Sequence, residues 1–308
     1  MEEVAMKTDL LNENRKRNFK QSLVLLGSIM ALTSLLGWVI GGVSTVIMVA
    51  AAGLLLVAVN HFGSSTKLLR MMKARRLSPE MYPDLNRVLR VISQRAGLYH
   101  VPTLYAIESR LMNAFVVGRE DSAAIVVSRK LLQNLNLREV AGIMGHEVAH
   151  IRNGDLFMMS IAGTTVKIVH LLATFGQILL ILALPYLLFG GAQVSALPLL
   201  LIFFAPSACI LMQLALSRTR EFEADRTGAE LAGDVYGLIS ALNKLERYHK
   251  GIFSRYIVMP WKMAQPSLLQ THPPTSERIH RLMSMTGIGD EWLQRSHMMR
   301  QYPQCNGC

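Results

Sequence analysis

Two long stretches of the chain contain no Asp, Glu, Lys or Arg, and they restrict the fold more than any other feature of the sequence. They cover residues 21–66 and residues 168–217. A helix needs about 20 apolar residues to cross a bilayer, so each stretch is long enough for two crossings. The glycine pairs Gly41-Gly42 and Gly190-Gly191 are suited to the turn inside each stretch. The sequence therefore predicts a multi-pass membrane protein with four transmembrane helices in two hairpins.

Two other interpretations of these stretches have less support. A secretory signal peptide has a shorter apolar core, and here a second span follows directly. Two buried helices of a soluble protein would carry polar residues on one face. The composition, with 51% hydrophobic and only 17% charged residues, also favours membrane spans. We therefore expect the lipid bilayer to be a partner of the chain.

The positive charge of the chain predicts its orientation. The net charge of +11 could indicate a nucleic-acid partner, but no basic patch with interleaved aromatic residues accompanies it, so we expect no nucleic acid. Basic residues flank the first hairpin on both sides, and its turn has none. The positive-inside rule then places the N-terminus, the C-terminus and the segments between the hairpins in the cytoplasm. The flanking residues are Lys7, Arg15, Lys16, Arg17 and Lys20 before the hairpin, and Lys67, Arg70, Lys73, Arg75 and Arg76 after it.

The predicted organisation has six parts. They are a cytosolic N-terminal segment (1–20), a first transmembrane hairpin (21–66), a first globular segment (67–163), a second hairpin (164–217), a second globular segment (218–290) and a C-terminal tail (291–308). The tail ends in Cys305 and Cys308, which we interpret as free because no second cysteine pair accompanies them.

The first globular segment has the pattern of a small α+β domain. Three short runs rich in β-branched residues, Thr103–Ile107, Ala114–Val117 and Ala123–Ser128, predict an antiparallel or mixed sheet. Ser78 followed by a proline predicts a helix that begins there and runs to about residue 96. Another helix is expected from about Leu137 to the Asn153-Gly154 pair.

That second helix carries the sequence His146-Glu147-Val148-Ala149-His150. With about 3.6 residues per turn, the two imidazoles project from one face and can reach one metal ion. Neutral imidazoles are the usual ligands of catalytic zinc, whose bound water Glu147 could deprotonate. A helix with two unrelated histidines is the alternative. We predict a metal site here.

A third protein ligand is expected after the second hairpin, on the same side of the membrane. Glu221 and Asp225 stand one helical turn apart, so one could bind the metal while the other accepts a hydrogen bond from a ligand histidine. Spacing alone does not decide among Glu221, Glu223 and Asp225. A solvated charged helix face, with Arg218 and Arg220 paired to these carboxylates, is equally compatible with the pattern.

Three motifs in this order resemble a known family. They are H-E-x-x-H at 146–150, S-R-x-R-E-F-x-A-D at 217–225 and H-P-P-T-x-E-R-I at 272–279. Together they are similar to the motifs of the HtpX-type membrane-embedded zinc metallopeptidases, relatives of the CAAX prenyl endopeptidases. The resemblance covers residues 20–285. It implies an α-helical integral membrane protein with a zincin-like catalytic domain, formed by the two globular segments (67–163 and 218–290), and an active site at the cytoplasmic face of the inner (plasma) membrane.

The resemblance also implies roles for individual residues. Glu221 would be the third ligand of one Zn²⁺ per chain, and Asp225 would support a ligand histidine. The implied activity is endopeptidase cleavage of polypeptides, in quality control of damaged or misassembled membrane proteins.

Two further site candidates follow from chemistry. His272, held by the two prolines after it, could donate to the oxyanion of the reaction, although an ordinary loop histidine would look the same. Asn113, Ala114 and Phe115 could form an edge strand that pairs with an extended substrate, or simply a core strand.

A multi-span membrane binding or scaffold protein, in which zinc is structural or absent, is the alternative function. Structural zinc is usually bound by four protein ligands that include cysteine, and no cysteine is close to His146 in the sequence. Catalysis is therefore the favoured prediction.

Overall fold

The computed structural model of the protein describes residues 2–62, 65–190, 195–256 and 273–285. The described chain is mostly helical, with one small sheet. Contacts divide it into two compact units, residues 1–64 with 154–223, and residues 65–153 with 224–308. His272 and the C-terminal cysteines lie outside the described residues.

The first unit consists of long apolar helices. Helix α1 spans Glu2–Phe62, α6 spans Asp155–Phe189, and α7 begins at Ala196 and continues to Ala232, beyond the end of this unit. Three described helices are long and apolar enough to cross a membrane: residues 18–59 within α1, α6 and α7. Their shared core contains Ile29, Leu36, Ala162, Val166, Val169, Ala173, Ile202, Ala205, Cys209 and Leu216.

Helix α1 is interrupted where the sequence predicts a turn. Gly41 and Gly42 have non-helical backbone angles, and Gly42 has a positive φ of 68°, which glycine adopts without steric cost. A Cβ on Gly37 would lie only 3.8 Å from the Cα of Val46. Residues nine apart in a straight helix are separated by about 13.5 Å, so the chain reverses direction at the glycine pair.

The second unit contains the sheet and the shorter helices. Strands β1 (Arg75–Arg76), β2 (Thr103–Ile107), β3 (Ala114–Val117) and β4 (Ala124–Ser128) form a mixed sheet in the order β1-β2-β4-β3. Strand β4 runs parallel to β2 and antiparallel to β3. The three predicted strands are confirmed, whereas the sequence analysis missed the two-residue strand β1.

Helices cover the two faces of this sheet. They are α2 (Ser65–Met71), α3 (Pro83–Arg95), α4 (Arg129–Asn134), α5 (Leu137–Arg152), α8 (Val235–Tyr256) and α9 (Thr275–Met285), with a 3-10 turn at Glu120–Ser122. Ile125 and Val127 of β4 belong to the main core, and Val126 belongs to a smaller cluster with Leu69 of α2. This alternation follows from the two-residue period of a strand.

One predicted helix start is wrong. The helix expected to begin at Ser78 begins at Pro83, which occupies the first turn of α3. The backbone N–H groups of Met81 and Tyr82 both donate to the carbonyl of Ser78 instead, forming a separate turn. Two prolines in this segment offer two possible starts, and the local pattern did not distinguish them.

Candidate metal centre

Helix α5 carries the paired histidines, and its start is fixed by a capping box. The Asn136 side chain accepts from the N–H of Glu139, and the Glu139 carboxylate accepts from the N–H of Asn136. Burial alone would raise the pKa of Glu139, but hydrogen bonds from Lys244, Ser240 and the Asn136 backbone lower it below its ordinary value. The carboxylate therefore stays charged and ties α5 to α8.

The two histidine rings of α5 point to one place. Their Nε2 atoms lie 3.1 Å apart, and the rings meet edge to face with centroids 4.7 Å apart. His146 and Glu147 are buried, at 5% and 7% exposure. Two nitrogens bound tetrahedrally to one zinc ion at 2.0–2.1 Å are separated by about 3.3 Å, close to the observed distance.

Asp225 of α7 fixes the orientation of His146. One oxygen of this buried carboxylate lies 2.9 Å from Nδ1 of His146. With Nδ1 protonated and donating to Asp225, Nε2 keeps its lone pair and is free to bind a metal ion. The hydrogen bond therefore selects the ring tautomer that a metal site requires.

Arg278 of α9 holds Asp225 in turn. Its Nε and Nη2 atoms donate to the two carboxylate oxygens at 2.7 and 2.6 Å. This planar, two-point contact compensates for burying both charges. The sequence analysis assigned no role to Arg278. The signal was its place in the third motif, but the spacing of that motif does not show what the side chain contacts.

Glu221 completes a group of three potential metal ligands. One donor atom from each of His146, His150 and Glu221 lies within 4.8 Å of the others. Glu221 precedes Asp225 by one turn on α7 and is itself buried, at 6% exposure. The neighbouring Arg220 is paired with the buried Asp155 at the start of α6, a contact that the sequence analysis also missed.

Glycines allow α5 and α7 to approach closely. A Cβ on Gly228 would lie 2.6 Å from the backbone nitrogen of His146, and one on Gly145 would lie 2.4 Å from the carbonyl oxygen of Gly228. Any side chain at these positions would push the helices apart. The short His146–Asp225 distance therefore depends on two residues that carry no functional group.

The donor set fits a divalent metal ion that accepts nitrogen and oxygen ligands. Two imidazoles and a carboxylate match the His₂Glu ligand sets of catalytic zinc sites, which leave a position open for water or substrate. No cysteine belongs to the group of three. Structural zinc sites, by contrast, usually have four protein ligands that include cysteine.

The three residues predicted to bind substrate lie in or directly before an edge strand of the sheet. Ala114 and Phe115 belong to β3, at the edge of the described sheet beyond β4. The backbone N–H of Asn113 donates to the Ser128 hydroxyl at 3.0 Å, and the Asn113 carbonyl accepts from the Ser128 N–H. These contacts hold the start of β3 in place.

Comparison with known protein families places the chain in one of them. The sequence profile described as "Peptidase family M48" matches residues 79–286, more than half of the chain. The chain belongs to peptidase family M48. This M48 chain is a metallopeptidase, and its long apolar helices make it a membrane-embedded one.

Relatives of this M48 protein are similar over nearly their whole length. A "Protease HtpX homolog" of Polynucleobacter necessarius subsp. necessarius (strain STIR1) is 32% identical over 295 residues, covering 89% of this chain and 98% of the relative. One from Ralstonia pickettii (strain 12J) is 33% identical over 291 residues, covering 88% and 98%. Among solved structures, the crystal structure of S. mikatae Ste24p gives a TM-score of 0.46 at 18% identity and covers 88% of this chain and 66% of that one.

Proposed function

We propose that this M48 peptidase is a zinc-dependent endopeptidase whose His146, His150 and Glu221 side chains hold one Zn²⁺ per chain. The observation that carries the proposal is the convergence of one donor atom from each of the three residues within 4.8 Å. The Asp225 contact supports it further, because it leaves Nε2 of His146 available for the metal. When bound, zinc polarises the scissile carbonyl and lowers the pKa of water at the site.

Glu147 is the proposed general base and acid. It accepts a proton from the attacking water, whose oxygen forms the new bond to the carbonyl carbon. As the carbon–nitrogen bond breaks, Glu147 delivers this proton to the departing amine. Its position next to His146 on α5, at 7% exposure, supports the role because few waters compete for the carboxylate there.

Two other elements are proposed to handle the substrate. We assign the edge strand at Asn113, Ala114 and Phe115 to backbone pairing with an extended polypeptide, a mode that selects for shape more than for sequence. We assign His272 to hydrogen bonding with the developing oxyanion. Two facts support this assignment. An imidazole can donate a hydrogen bond to an oxyanion, and the motif that begins at His272 resembles the third motif of the family.

Four membrane crossings in two hairpins are proposed for the apolar helices. The span at residues 18–59 is 42 residues long. A straight helix of that length would measure about 63 Å, twice the hydrocarbon thickness of about 30 Å, so two crossings fit where one does not. The chain reversal at Gly41 and Gly42 supports the same division. The six-part organisation given by the sequence is proposed to follow these hairpins.

The active site is proposed to face the cytoplasm at the inner membrane. The basic residues on both sides of the first hairpin support this orientation. Membrane polypeptides that are damaged or misassembled are the proposed substrates, which is the role that the motif resemblance implies. An edge strand that reads backbone rather than side chains suits an enzyme with many different substrates.

The test is the Glu147→Gln variant of the purified full-length protein, with casein as substrate. We expect bound zinc, measured by elemental analysis, to be unchanged and cleavage to fall by about 10²–10⁴-fold. The matched control is Glu230→Gln, which changes an exposed glutamate of α7 and should leave cleavage intact. A chelator should abolish cleavage by the wild type, and zinc should restore it. Cleavage by Glu147→Gln at the wild-type rate would refute the assignment.

A further inference from the structure

A strongly basic segment follows the first apolar stretch. Five cations lie between residues 67 and 76, with no Asp or Glu among them: Lys67, Arg70, Lys73, Arg75 and Arg76. All five side chains are exposed. We call these five residues, with the exposed Leu68 and Met71 between them, the basic surface.

The basic surface is firmly attached to the sheet. Leu69 of α2 is buried, at 7% exposure, in a cluster with Val117 and Val126 of the sheet. Arg75 and Arg76 form strand β1 and pair with Ala106 and Tyr105 of β2. Its cations are therefore displayed by ordered elements rather than by a free tail.

These cations lack acidic partners within the part of the chain that the structure describes. Salt bridges between described residues include none of the five. Acidic groups nearby include Glu80, whose pKa is lowered mainly by a hydrogen bond from Ser78 and less by the charge of Arg76. Asp121 lines a cleft beside α2 and lies 3.5 Å from Arg119. Five like charges in ten residues repel one another, so an anionic partner at this surface would be stabilising.

Two apolar side chains interrupt the charges. Leu68 is 44% exposed and Met71 is 73% exposed, while their neighbours Lys67 and Arg70 are also exposed. Cations mixed with exposed apolar side chains suit the boundary between lipid headgroups and acyl chains. A single-stranded nucleic acid would call for stacking aromatic residues, and the segment from 65 to 76 has none.

We propose that the basic surface binds the headgroups of anionic phospholipids. Lys67 follows Val59, the last residue of the first candidate span, by eight positions. Eight residues reach at most about 28 Å, so the chain cannot carry the basic surface far from the headgroup layer. Binding there fixes the β1 edge of the sheet at the bilayer. This inference concerns the membrane partner and does not depend on the catalytic roles proposed above.

An environment-sensitive dye at position 71 tests the contact. Met71→Cys is labelled in full-length protein whose Cys305 and Cys308 are replaced by Ser, and the protein is placed in nanodiscs of phosphatidylcholine, with or without phosphatidylglycerol. We expect emission to shift to shorter wavelength in the anionic nanodiscs only. Raising NaCl to 1 M should reverse the shift, because the screening length falls to about 3 Å.

Two matched variants distinguish binding by the basic surface from a general effect of the protein's net charge. Changing Lys67, Arg70, Arg75 and Arg76 to Gln should remove the shift, with a loss of about fivefold in lipid affinity per cation. Changing the exposed Arg87, Arg90, Lys130 and Arg247 to Gln removes the same charge elsewhere and should preserve it. Thermal unfolding checks that both variants fold.

The lipid and salt measurements on the labelled Met71→Cys protein test the proposal even without the two charge variants. An emission spectrum that is identical in neutral and anionic nanodiscs would overturn the proposal, as would equal losses of the shift in the two variants. A surface that docks an acidic protein instead would give the first of these results.

Discussion

The two units bury and expose their side chains in different ways. In the first unit, large apolar residues are both buried and exposed: Leu36 is 0% and Leu54 is 73% exposed. In the second, the main core is apolar, and buried charges such as Asp225 and Arg278 contact each other. Lipid is as apolar as the side chains of a transmembrane helix, so it provides no hydrophobic driving force to bury them. Water does provide one. Buried ion pairs occur in both units, Asp155 with Arg220 in the first and Asp225 with Arg278 in the second. The two units therefore differ mainly in how many large apolar side chains they expose.

The largest expected effect comes from Gly228→Ala, because its Cβ would lie 2.6 Å from a backbone nitrogen of α5. We expect destabilisation of about 3 kcal/mol or more and loss of bound metal, since α5 and α7 would have to separate. Thermal unfolding and metal content measure both effects. The control is Gly251→Ala in α8, because a Cβ at this position would meet nothing within 4 Å. This substitution should stabilise the helix by up to about 1 kcal/mol. Equal stability of the two variants would contradict this prediction.

Arg278→Met should have the next largest effect on metal binding. Removing one partner of a buried ion pair costs about 3–5 kcal/mol. With Asp225 less well held, metal affinity should fall by about 10–100-fold. Competition with a zinc indicator measures the affinity. The exposed Arg281 of the same helix, paired with Glu277, is the control, and Arg281→Gln should change stability by no more than about 1 kcal/mol.

A third prediction compares exposed apolar residues of the two units. Leu54→Asp should raise the apparent free energy of membrane insertion by about 2.5–3.5 kcal/mol if the exposed face of α1 contacts lipid. Tyr99→Asp, at a residue of the second unit that is 93% exposed, should change stability by about 0.5 kcal/mol or less. Membrane integration assays and thermal unfolding measure the pair. If Leu54→Asp left the apparent free energy of membrane insertion unchanged, this face of α1 would not contact lipid.

The smallest effect concerns pH. Burial alone would raise the pKa of Glu139 in the folded state. Hydrogen bonds from Lys244 and Ser240 outweigh this effect and lower the pKa. A lowered folded pKa gives stability that is complete above the unfolded value of about 4.3 and is lost as pH falls through the folded value. Between neutral and acidic pH, the free energy of unfolding should therefore fall less steeply with decreasing pH in Glu139→Gln than in wild type. Glu246→Gln, which removes a carboxylate paired with the exposed Lys250, should keep the wild-type slope.

Much of the fold was predictable because its signals are local. The apolar stretches, the three strands and the bounds of α5 depend on length, charge and periodicity within one segment. The start of α3 and strand β1 were not predicted. Two exposed arginines form β1 only because β2 lies beside them, and such pairing leaves no pattern in a two-residue segment.

The sequence by itself determined that two imidazoles share one face of a helix and that two long apolar stretches divide the chain. It also limited the candidates for a third metal ligand to a few carboxylates after the second apolar stretch. Only the tertiary structure decided that Asp225 contacts Nδ1 of His146, that Arg278 holds Asp225, and that Glu221 lies near both rings. The physical reason is that helical periodicity sets angles within one helix, whereas the distance between helices depends on how their backbones pack. In this protein, Gly145 and Gly228 set that distance.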